Sequence, residues 1–360
     1  MPRFQTRCLL LCMLVVFAST TGCDKTSSLD SFQLRQGKGL SLAQDLSGQI
    51  TAIRFDSSPL TDADLQLMGT ATSLRELSGD AQQVTEAGLA ALAGCSGLQS
   101  LQLNSCRLSD GAARSICSLK ALRVLTLTDA TGLAPTHVSG LAELPKLLEL
   151  GLSGTAVDDS CIAQLPAAPL RAISLSRTQL TSGGVQMLSE KYPTLEVIAL
   201  DEVALDAAAV AALSQLQKLT DLSLCDCGLD DASAAPLSEL KQLRVLNLSE
   251  NELITDAVIK SFGTVAELRT LNVSGTQFTG TAFADAGFPS LSSLIADKTL
   301  VKSDSLRSLK LPTLFSLSLN GCSLSTAEIR KVFAENDQTA VSFEEASPAK
   351  DAGEKVKGQI

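Results

Sequence analysis

The residue types that most often carry catalysis are scarce in this chain of 360 residues. Catalytic triads, zinc sites and most acid–base schemes use histidine, and the sequence contains a single one, His137. His137 stands at the start of a predicted helix, where we expect it to cap the helix or to be solvated. The histidine content therefore gives no support to a catalytic or metal site.

Cysteine is the other candidate for chemistry. Apart from Cys8, Cys12 and Cys23 near the N-terminus, seven cysteines remain, and an odd number makes a poor disulfide framework. In the segment Cys225-x-Cys227 we expect the first thiol to face solvent and the second to turn inward, because alternate strand residues point to opposite sides. Cys225 is the one thiol that suggests a nucleophile, but no histidine is placed near it. We predict structural, buried thiols for the set.

Paired carboxylates and paired glycines have structural explanations here. Asp158-Asp159 and Asp230-Asp231 each open a helix-like stretch, where a carboxylate can accept hydrogen bonds from the first free amides. Gly183-Gly184 also opens a predicted helix, so it is not a phosphate loop that follows a strand. We therefore predict no enzymatic activity, no metal site and no cofactor.

One repeated phrase organises the whole chain. Its general form is Leu-x-x-Leu-x-Leu, and it occurs twelve times at spacings of 23 to 25 residues. A fixed period in this range is typical of a solenoid, in which each unit buries its apolar edge against its neighbours. The units begin at Ile50, Leu74, Leu98, Leu122, Leu147, Leu170, Leu195, Leu219, Leu243, Leu268, Leu291 and Leu314.

Each unit has two halves with different rhythms. Positions one, four and six, such as Leu98, Leu101 and Leu103, should point into the core, and their alternation indicates a short strand. Strands of successive units would stack in parallel about 4.8 Å apart. The second half starts with Thr, Ser or Asp, as at Thr85, and continues into a helix-like stretch. A unit is therefore predicted to be one strand, a turn and one helix.

These residues resemble the leucine-rich-repeat family from Ile50 to about residue 343. The resemblance implies an α/β fold, a right-handed solenoid or horseshoe with parallel strands on the concave face and helices on the convex face. It also implies that position nine ties the turn together inside the coil, as in the cysteine-containing repeats of ubiquitin-ligase recognition subunits and many bacterial proteins. Position nine is occupied by Cys106, Cys227, Cys322, Asn251, Thr155, Thr178, Thr276 and Thr299.

Two units lack the third leucine. Gly79 and Ala296 stand at position six, and we expect both sites to be underpacked. A missing core side chain costs about 2–5 kcal/mol where the site cannot collapse.

Positions three, five and seven of each unit should face solvent on the concave side, so we expect residues such as Ser223 to be exposed. Either this face is simply solvated, or it is a polar platform for a glycan or for a protein that is at least partly basic. Asp56, Glu76 and Asp80 should form an acidic patch at one end, where we expect a partner to dock. The predicted partner-binding residues are Arg54, Asp56, Glu76, Asp80, Gln102, Asn104, Glu149, Asp201, Asp221, Asn247, Asn272 and Asn320.

Composition narrows the class of partner. The net charge is −10, which disfavours nucleic acid because phosphates need Lys and Arg. Aromatic residues make up 3 % of the chain, with no Trp and one Tyr, and interface anchors are enriched in Trp, Tyr and Arg. We expect a monomeric protein that binds its partner weakly and in a salt-sensitive way.

The N-terminus has the pattern of an export signal. Arg3 and Arg7 precede an apolar run and small residues that end in Gly22-Cys23. This ending resembles a bacterial lipoprotein cleavage site, which would make residues 1–22 a signal peptide and Cys23 the lipidated residue. An ordinary signal peptide or an uncleaved anchor is the alternative. We expect the protein to be exported and anchored by lipid to the cell membrane, on its periplasmic or cell-surface side.

The remaining boundaries follow from composition. Residues 23–49 should be a tether that merges into an N-terminal cap, residues 50–343 the repeat domain, and residues 344–360 a disordered tail.

Three functions are compatible with the sequence. The first is a non-catalytic, membrane-tethered interaction module of the bacterial cell envelope. The second is an intracellular substrate-recognition subunit like those of ubiquitin ligases, although residues 23–49 are too short for the helical box that precedes such repeats. The third is an enzyme with an unrecognised site on the concave face.

Overall fold

The computed structural model describes residues 32, 39–69, 71–284, 287–307, 311–325, 327–328 and 340–342. Within them, one sheet of fourteen strands runs through the molecule, and neighbouring strands follow one another in chain order. The predicted signal peptide (1–22), Cys23 and the predicted tail (344–360) lie outside the described residues.

The strands are short, and from β3 onward each pairs in parallel with the preceding one. They are β1 Leu40–Gln44, β2 Ile50–Phe55, β3 Glu76–Asp80, β4 Ser100–Asn104, β5 Val124–Thr126, β6 Glu149–Gly151, β7 Ala172–Ser174, β8 Val197–Ala199, β9 Asp221–Ser223, β10 Val245–Asn247, β11 Thr270–Asn272, β12 Ser293–Ile295, β13 Ser316–Ser318 and β14 Ala340–Ser342.

Helical segments occupy the second half of the units. The α-helices are α1 Asp62–Met68, α2 Glu86–Ala91, α3 Asp110–Cys117, α4 Pro135–Gly140, α5 Asp159–Gln164, α6 Ser182–Lys191, α7 Ala207–Leu213, α8 Asp231–Ala234, α9 Asp256–Ser261 and α10 Ser303–Arg307. Short 3-10 helices cover Leu92–Gly94, Leu141–Glu143, Ala235–Glu239, Phe262–Thr264 and Thr281–Phe283. In the described part of the unit that begins at Leu268, the 3-10 turn stands where an α-helix was expected.

The predicted right-handed α/β solenoid is confirmed. Successive strands hydrogen-bond on one side and successive helices pack on the other. The apolar triplets lie between these two layers: Leu98, Leu101 and Leu103 are all fully buried. The strand register inferred from the repeat is therefore correct.

The N-terminal end departs from the parallel pattern. Strand β1 pairs with β2 in antiparallel fashion, with Leu40 opposite Phe55, because only a five-residue turn joins them, too short for a parallel crossover. The Phe32 ring is buried and meets the Phe55 ring edge-on at 6.3 Å between centroids. These contacts cover the apolar end of the first unit.

Gly79 is not underpacked, so that expectation is wrong at this position. A Cβ at Gly79 would come within 2.8 Å of the Cβ of Phe55. Phe55 occupies position six of the preceding unit, and its ring fills the space that a leucine would need. Ala296 is fully buried.

Position nine ties the turns together as the resemblance implied. The Thr155 hydroxyl donates to the Leu152 carbonyl at 2.6 Å, and the Cys227 thiol donates to the Leu200 carbonyl at 3.2 Å. Asn251 does more: its Oδ1 accepts from the amides of Cys227 and Leu229 at 3.0 and 2.9 Å. Its Nδ2 donates to the carbonyls of the two neighbouring turns. Asn251 therefore joins two units through buried backbone groups.

Position eight has a backbone requirement that the leucine pattern does not reveal. From Ser105 to Gly321 this residue has positive φ in every unit, between 52° and 71°. Three of these ten residues are glycine, but Arg177, Glu202 and Glu250 are not. The left-handed conformation is costly for residues with a Cβ, so these turns carry local strain.

Helix starts form a second row of inter-unit contacts. The N-cap Thr85 is held by the preceding helix: its amide and hydroxyl donate to Asp62, the first residue of that helix, at 2.8 and 2.6 Å. Thr255 donates to Asp231 in the same way. We call this row of acidic first residues and following N-caps the convex rim.

His137 contacts the convex rim through Asp110. Its Nδ1 accepts from the Ala134 amide at 3.2 Å, and its Nε2 lies 2.8 Å from Asp110 Oδ1. The side chain is 9 % exposed, so the expected capping role is confirmed and the solvated one is not.

Candidate functional site

The concave face of the sheet presents three rows of side chains, from positions three, five and seven of the units. Pairing between strands sets the order within each row: Glu149 lies between Val124 and Ala172, and Gly151 lies between Thr126 and Ser174. The rows divide into three regions with different chemistry.

The first region is the N-terminal acidic patch, and its charges are partly satisfied. Arg54 and Glu76 form an ion pair at 3.3 Å, with both side chains well exposed. Asp56 accepts from the Ser41 hydroxyl, and Asp80 accepts from the Gln82 amide. An exposed ion pair contributes little stability, but it lowers the charge that this patch offers to a partner.

The second region is the C-terminal part of the face, where polar groups bond to one another; we call it the polar ladder. The Ser223 hydroxyl donates to Asp201 and accepts from Asn247 Nδ2 at 2.9 Å. Asn247 Oδ1 accepts from the Ser249 amide and hydroxyl. Ser223 is only 7 % exposed, so the expectation that it faces solvent is wrong: its neighbours in the rows cover it.

The polar ladder continues to the last strands. Asn272 Oδ1 accepts from the Ser274 amide and hydroxyl, and Asp297 Oδ1 accepts from the Ser318 hydroxyl and the Asn320 amide. Asn247 and Asn272 are 4 % and 7 % exposed. Two residues of the predicted binding set are therefore buried and occupied by contacts within the face. Asp221, the first residue of β9, accepts from the Thr220 hydroxyl at 2.7 Å.

The third region is a depression of about 440 Å³ in the middle of the face, which we call the central pit. Its lining mixes polar side chains with small and apolar ones and includes five of the predicted binding residues. Those five are Gln102, Asn104, Glu149, Asp201 and Asn247. The apolar members, Ala172, Val197 and Ala199, were not recognised from the sequence as a site, because a search for polar groups passes over them.

Two polar groups in the central pit lack partners. The Thr126 hydroxyl is buried and has no hydrogen bond in the described part of the chain. The Glu149 carboxylate has no hydrogen bond and no ion pair to a described residue. Burial raises its pKa. In the polar ladder, by contrast, the buried side chains of Ser223, Asn247 and Asn272 all have hydrogen-bond partners.

The cysteines show no sign of activation. Six of the seven in the described residues are buried and all are free thiols, while Cys225 is half-buried on the concave side. Burial raises the pKa of Cys225, and the carboxylates of Asp201, Glu250 and Asp226 raise it further against one hydrogen bond from Ser249. A nucleophilic thiol needs the opposite shift. Among the described residues, no group of three His, Cys, Asp or Glu side chains could hold a metal ion.

The fold and the repeat are those of a leucine-rich-repeat solenoid. Residues 217–278 match the family model described as leucine rich repeat. Nothing among curated proteins matches the chain.

Solved structures share the architecture at low sequence identity. A chain of the Rad7–Elc1 complex of yeast is 17 % identical with a TM-score of 0.53, over 78 % of this chain and 83 % of that one. An internalin, InlF, from Listeria monocytogenes is 20 % identical with a TM-score of 0.49, over 79 % and 71 %. Internalin C2 of the same bacterium is 20 % identical with a TM-score of 0.37, over 72 % and 84 %. Identities this low concern the fold alone.

Proposed function

We propose that this protein is a non-catalytic interaction module that binds a protein on its concave face and is tethered to a membrane of the bacterial envelope through a lipid on Cys23. The observation that carries the binding role is the central pit. It is the part of the concave face where a burial-shifted carboxylate and a buried hydroxyl have no partner among the described residues. Polar groups in such positions are usually hydrogen-bonded, and a bound partner would supply a bond to the half-buried carboxylate.

The pit has the features of a recognition site. Ligand sites are concave and mostly apolar, with a few placed polar groups, and a volume of about 440 Å³ is sufficient to accept one or two partner side chains. The neighbouring polar ladder holds its own side chains in fixed positions, so the rim of the pit is preorganised.

A concave-face variant and a convex-face variant test the binding role. Val197→Arg places a long charged side chain in the pit, while Ala211→Arg places the same side chain on the exposed face of α7. Each full-length variant and the unaltered chain would be used to capture proteins from an envelope extract, with quantitative mass spectrometry as the readout. We expect a protein retained by the unaltered chain and by Ala211→Arg and lost with Val197→Arg. Equal retention by both variants would contradict binding at this face.

The membrane tether is supported by the sequence: two arginines, a short apolar run and Gly22-Cys23. No helix within the described residues has the length and apolarity needed to cross a bilayer. Stable anchoring by acyl chains takes two signals, which the Cys23 thiol and the new N-terminus would provide after cleavage.

Fractionation with a Cys23→Ser variant tests the tether. The unaltered chain should enter membranes and incorporate a palmitate analogue, and the variant should incorporate none and either leave the membrane or keep its signal uncut. Membrane association and mature mass unchanged by the substitution would exclude the lipid. A soluble intracellular chain would instead support the recognition-subunit alternative.

A further inference from the structure

Glu149 occupies an unusual position for a carboxylate. In its row it lies between Val124 and Ala172, with Val197 the next residue along. Val124 is 9 % exposed, and the other two are half-buried. These neighbours offer no hydrogen-bond donor from their side chains, and they displace water from the carboxylate. Burial is the cause of its raised pKa.

The space beside Glu149 exists because small residues stand where other units have larger ones. Gly151 takes position five, next to Thr126, and a Cβ there would be 3.0 Å from Thr126 Cγ2 and 3.1 Å from its Oγ1. Ala172 and Ala199 continue the low surface on the following strands. The Thr126 hydroxyl, in a residue only 6 % exposed, lies beside Gly151 and is itself closed to solvent.

The other carboxylates of the concave face show what Glu149 lacks. Glu76 holds the same position three units earlier and is paired with Arg54 at 3.3 Å. Asp201, across the pit, accepts from Ser223 and from the Cys225 amide. Asp129 at the edge is paired with Arg177 at 3.1 Å. Glu149 is therefore the carboxylate of the pit that remains available to a partner's cation.

We propose that the central pit receives one lysine or arginine side chain of the partner protein, with its cationic head on the Glu149 carboxylate and its methylenes against Ala172 and Val197. The inference rests on the proposed function and specifies the residue that the partner must present. Lys and Arg combine an apolar stem with a charged head, which matches an unpaired carboxylate set between the apolar side chains of Val124 and Ala172. The chain's net charge of −10 favours the approach of such a residue.

A peptide library can identify the required side chain before the partner itself is isolated. Phage-displayed random dodecapeptides would be selected against the immobilised full-length chain, and enriched peptides would be synthesised and titrated. We expect enriched peptides to share one Lys or Arg at a fixed place. Binding to Glu149→Gln should be about tenfold weaker or more, because a desolvated charge-assisted hydrogen bond is lost.

A double-mutant cycle assigns the effect to the pair. Replacing the shared basic residue of the peptide by norleucine should weaken binding to the unaltered chain about as much as Glu149→Gln does. The same replacement should weaken binding to the Glu149→Gln variant little further. Thr126→Val, which removes a hydroxyl closed to solvent, should leave binding nearly unchanged. Ala172→Leu, which fills the pit and leaves the carboxylate in place, should abolish binding. Thermal melting of each variant checks that the fold is retained.

Glu76→Gln is the matched control, with the same substitution at the same position of another unit. It should leave affinity within about twofold, since Glu76 is exposed and already paired. The inference is overturned if nothing is enriched, if the enriched peptides share no basic residue, or if their binding survives Glu149→Gln. Peptides that lose binding with Val197→Arg but keep it with Glu149→Gln would overturn this inference and leave the proposed function intact.

Discussion

The polar ladder and the central pit are built from the same repeat, and they treat polar groups in opposite ways. Ser223 and Asn247 are buried and exchange hydrogen bonds with each other and with Asp201. Thr126 is buried to the same degree and has no partner within the described chain. A satisfied polar group stabilises the fold, whereas an unsatisfied one costs free energy. The ladder therefore serves the structure, and the pit has the properties of a binding site.

The largest effect should come from Asn251, which supports the ladder from beneath. Asn251→Ala leaves two amides and two carbonyls of buried turns without their partner. Each such group costs about 1–3 kcal/mol, so we expect a loss of about 3 kcal/mol or more in the free energy of unfolding. Urea denaturation measures it. Thr155→Ala, which removes one hydrogen bond at the equivalent position, should cost about 1 kcal/mol; equal losses would show that the position contributes only its packing.

The second prediction contrasts the two regions directly. Ser223→Ala removes a hydroxyl with two partners and should cost about 1–2 kcal/mol. Thr126→Val removes a hydroxyl with none and keeps the shape, so it should be neutral or stabilising. The same denaturation experiment compares them. A loss for Thr126→Val as large as that for Ser223→Ala would mean that the hydroxyl is satisfied in solution and that the contrast between the regions is wrong.

The third prediction concerns pH. Burial raises the folded-state pKa of Glu149, so protonation favours the fold, and this contribution is lost as pH rises through that pKa. Glu149→Gln should therefore raise the melting temperature at neutral pH, by about 1–3 °C, and should give no gain well below pH 4.5, the reference value.

Asp206 provides the control of opposite sign. The backbone hydrogen bond from Ala209 lowers its pKa, so its contribution is present above the reference value of 3.8 and is lost as pH falls through the folded-state pKa. Asp206→Asn should lower the melting temperature at neutral pH, and its effect should shrink in acid. Parallel pH profiles for the two variants would contradict the burial of Glu149.

The smallest effect should come from the strained turns that border both regions. Glu202 has φ of +58° and an exposed side chain. Glycine adopts this conformation without a Cβ penalty, which favours the folded state. Glycine also has more conformational freedom in the unfolded chain, which favours unfolding. Glu202→Gly should therefore change stability by less than about 1 kcal/mol in either direction. A larger loss on denaturation would show that the side chain makes stabilising contacts in solution.

The sequence predicted the layers of the fold well and the chemistry of the face poorly. The leucine triplets determine which side of each strand is buried, since inward and outward positions alternate. The helix starts follow from Thr and Asp, whose hydroxyls and carboxylates suit free amides. The positive φ at position eight leaves little trace, because Arg177 and Glu250 stand where glycine would be expected.

The state of a polar group depends on neighbours one unit away in space. Asn247 and Gln102 look equivalent in the sequence, yet the first is buried among its ladder partners and the second is half-buried. The pit results from residues with little or no side chain, Gly151 and Ala172, and a search for reactive groups does not detect missing volume. A comparison of side-chain size along each row could have found it.

The convex rim also bears on how a solenoid of this kind could gain additional repeats. At successive junctions the earlier unit accepts and the later one donates: Thr255 donates to Asp231, and Thr279 donates to Asp256. A second copy of residues 231–255 placed directly after Thr255 would present its own Asp231 to the copied Thr255 and keep every cap in phase. The joints are thus interchangeable, and a gene encoding this chain could lengthen by duplication without a new kind of interface.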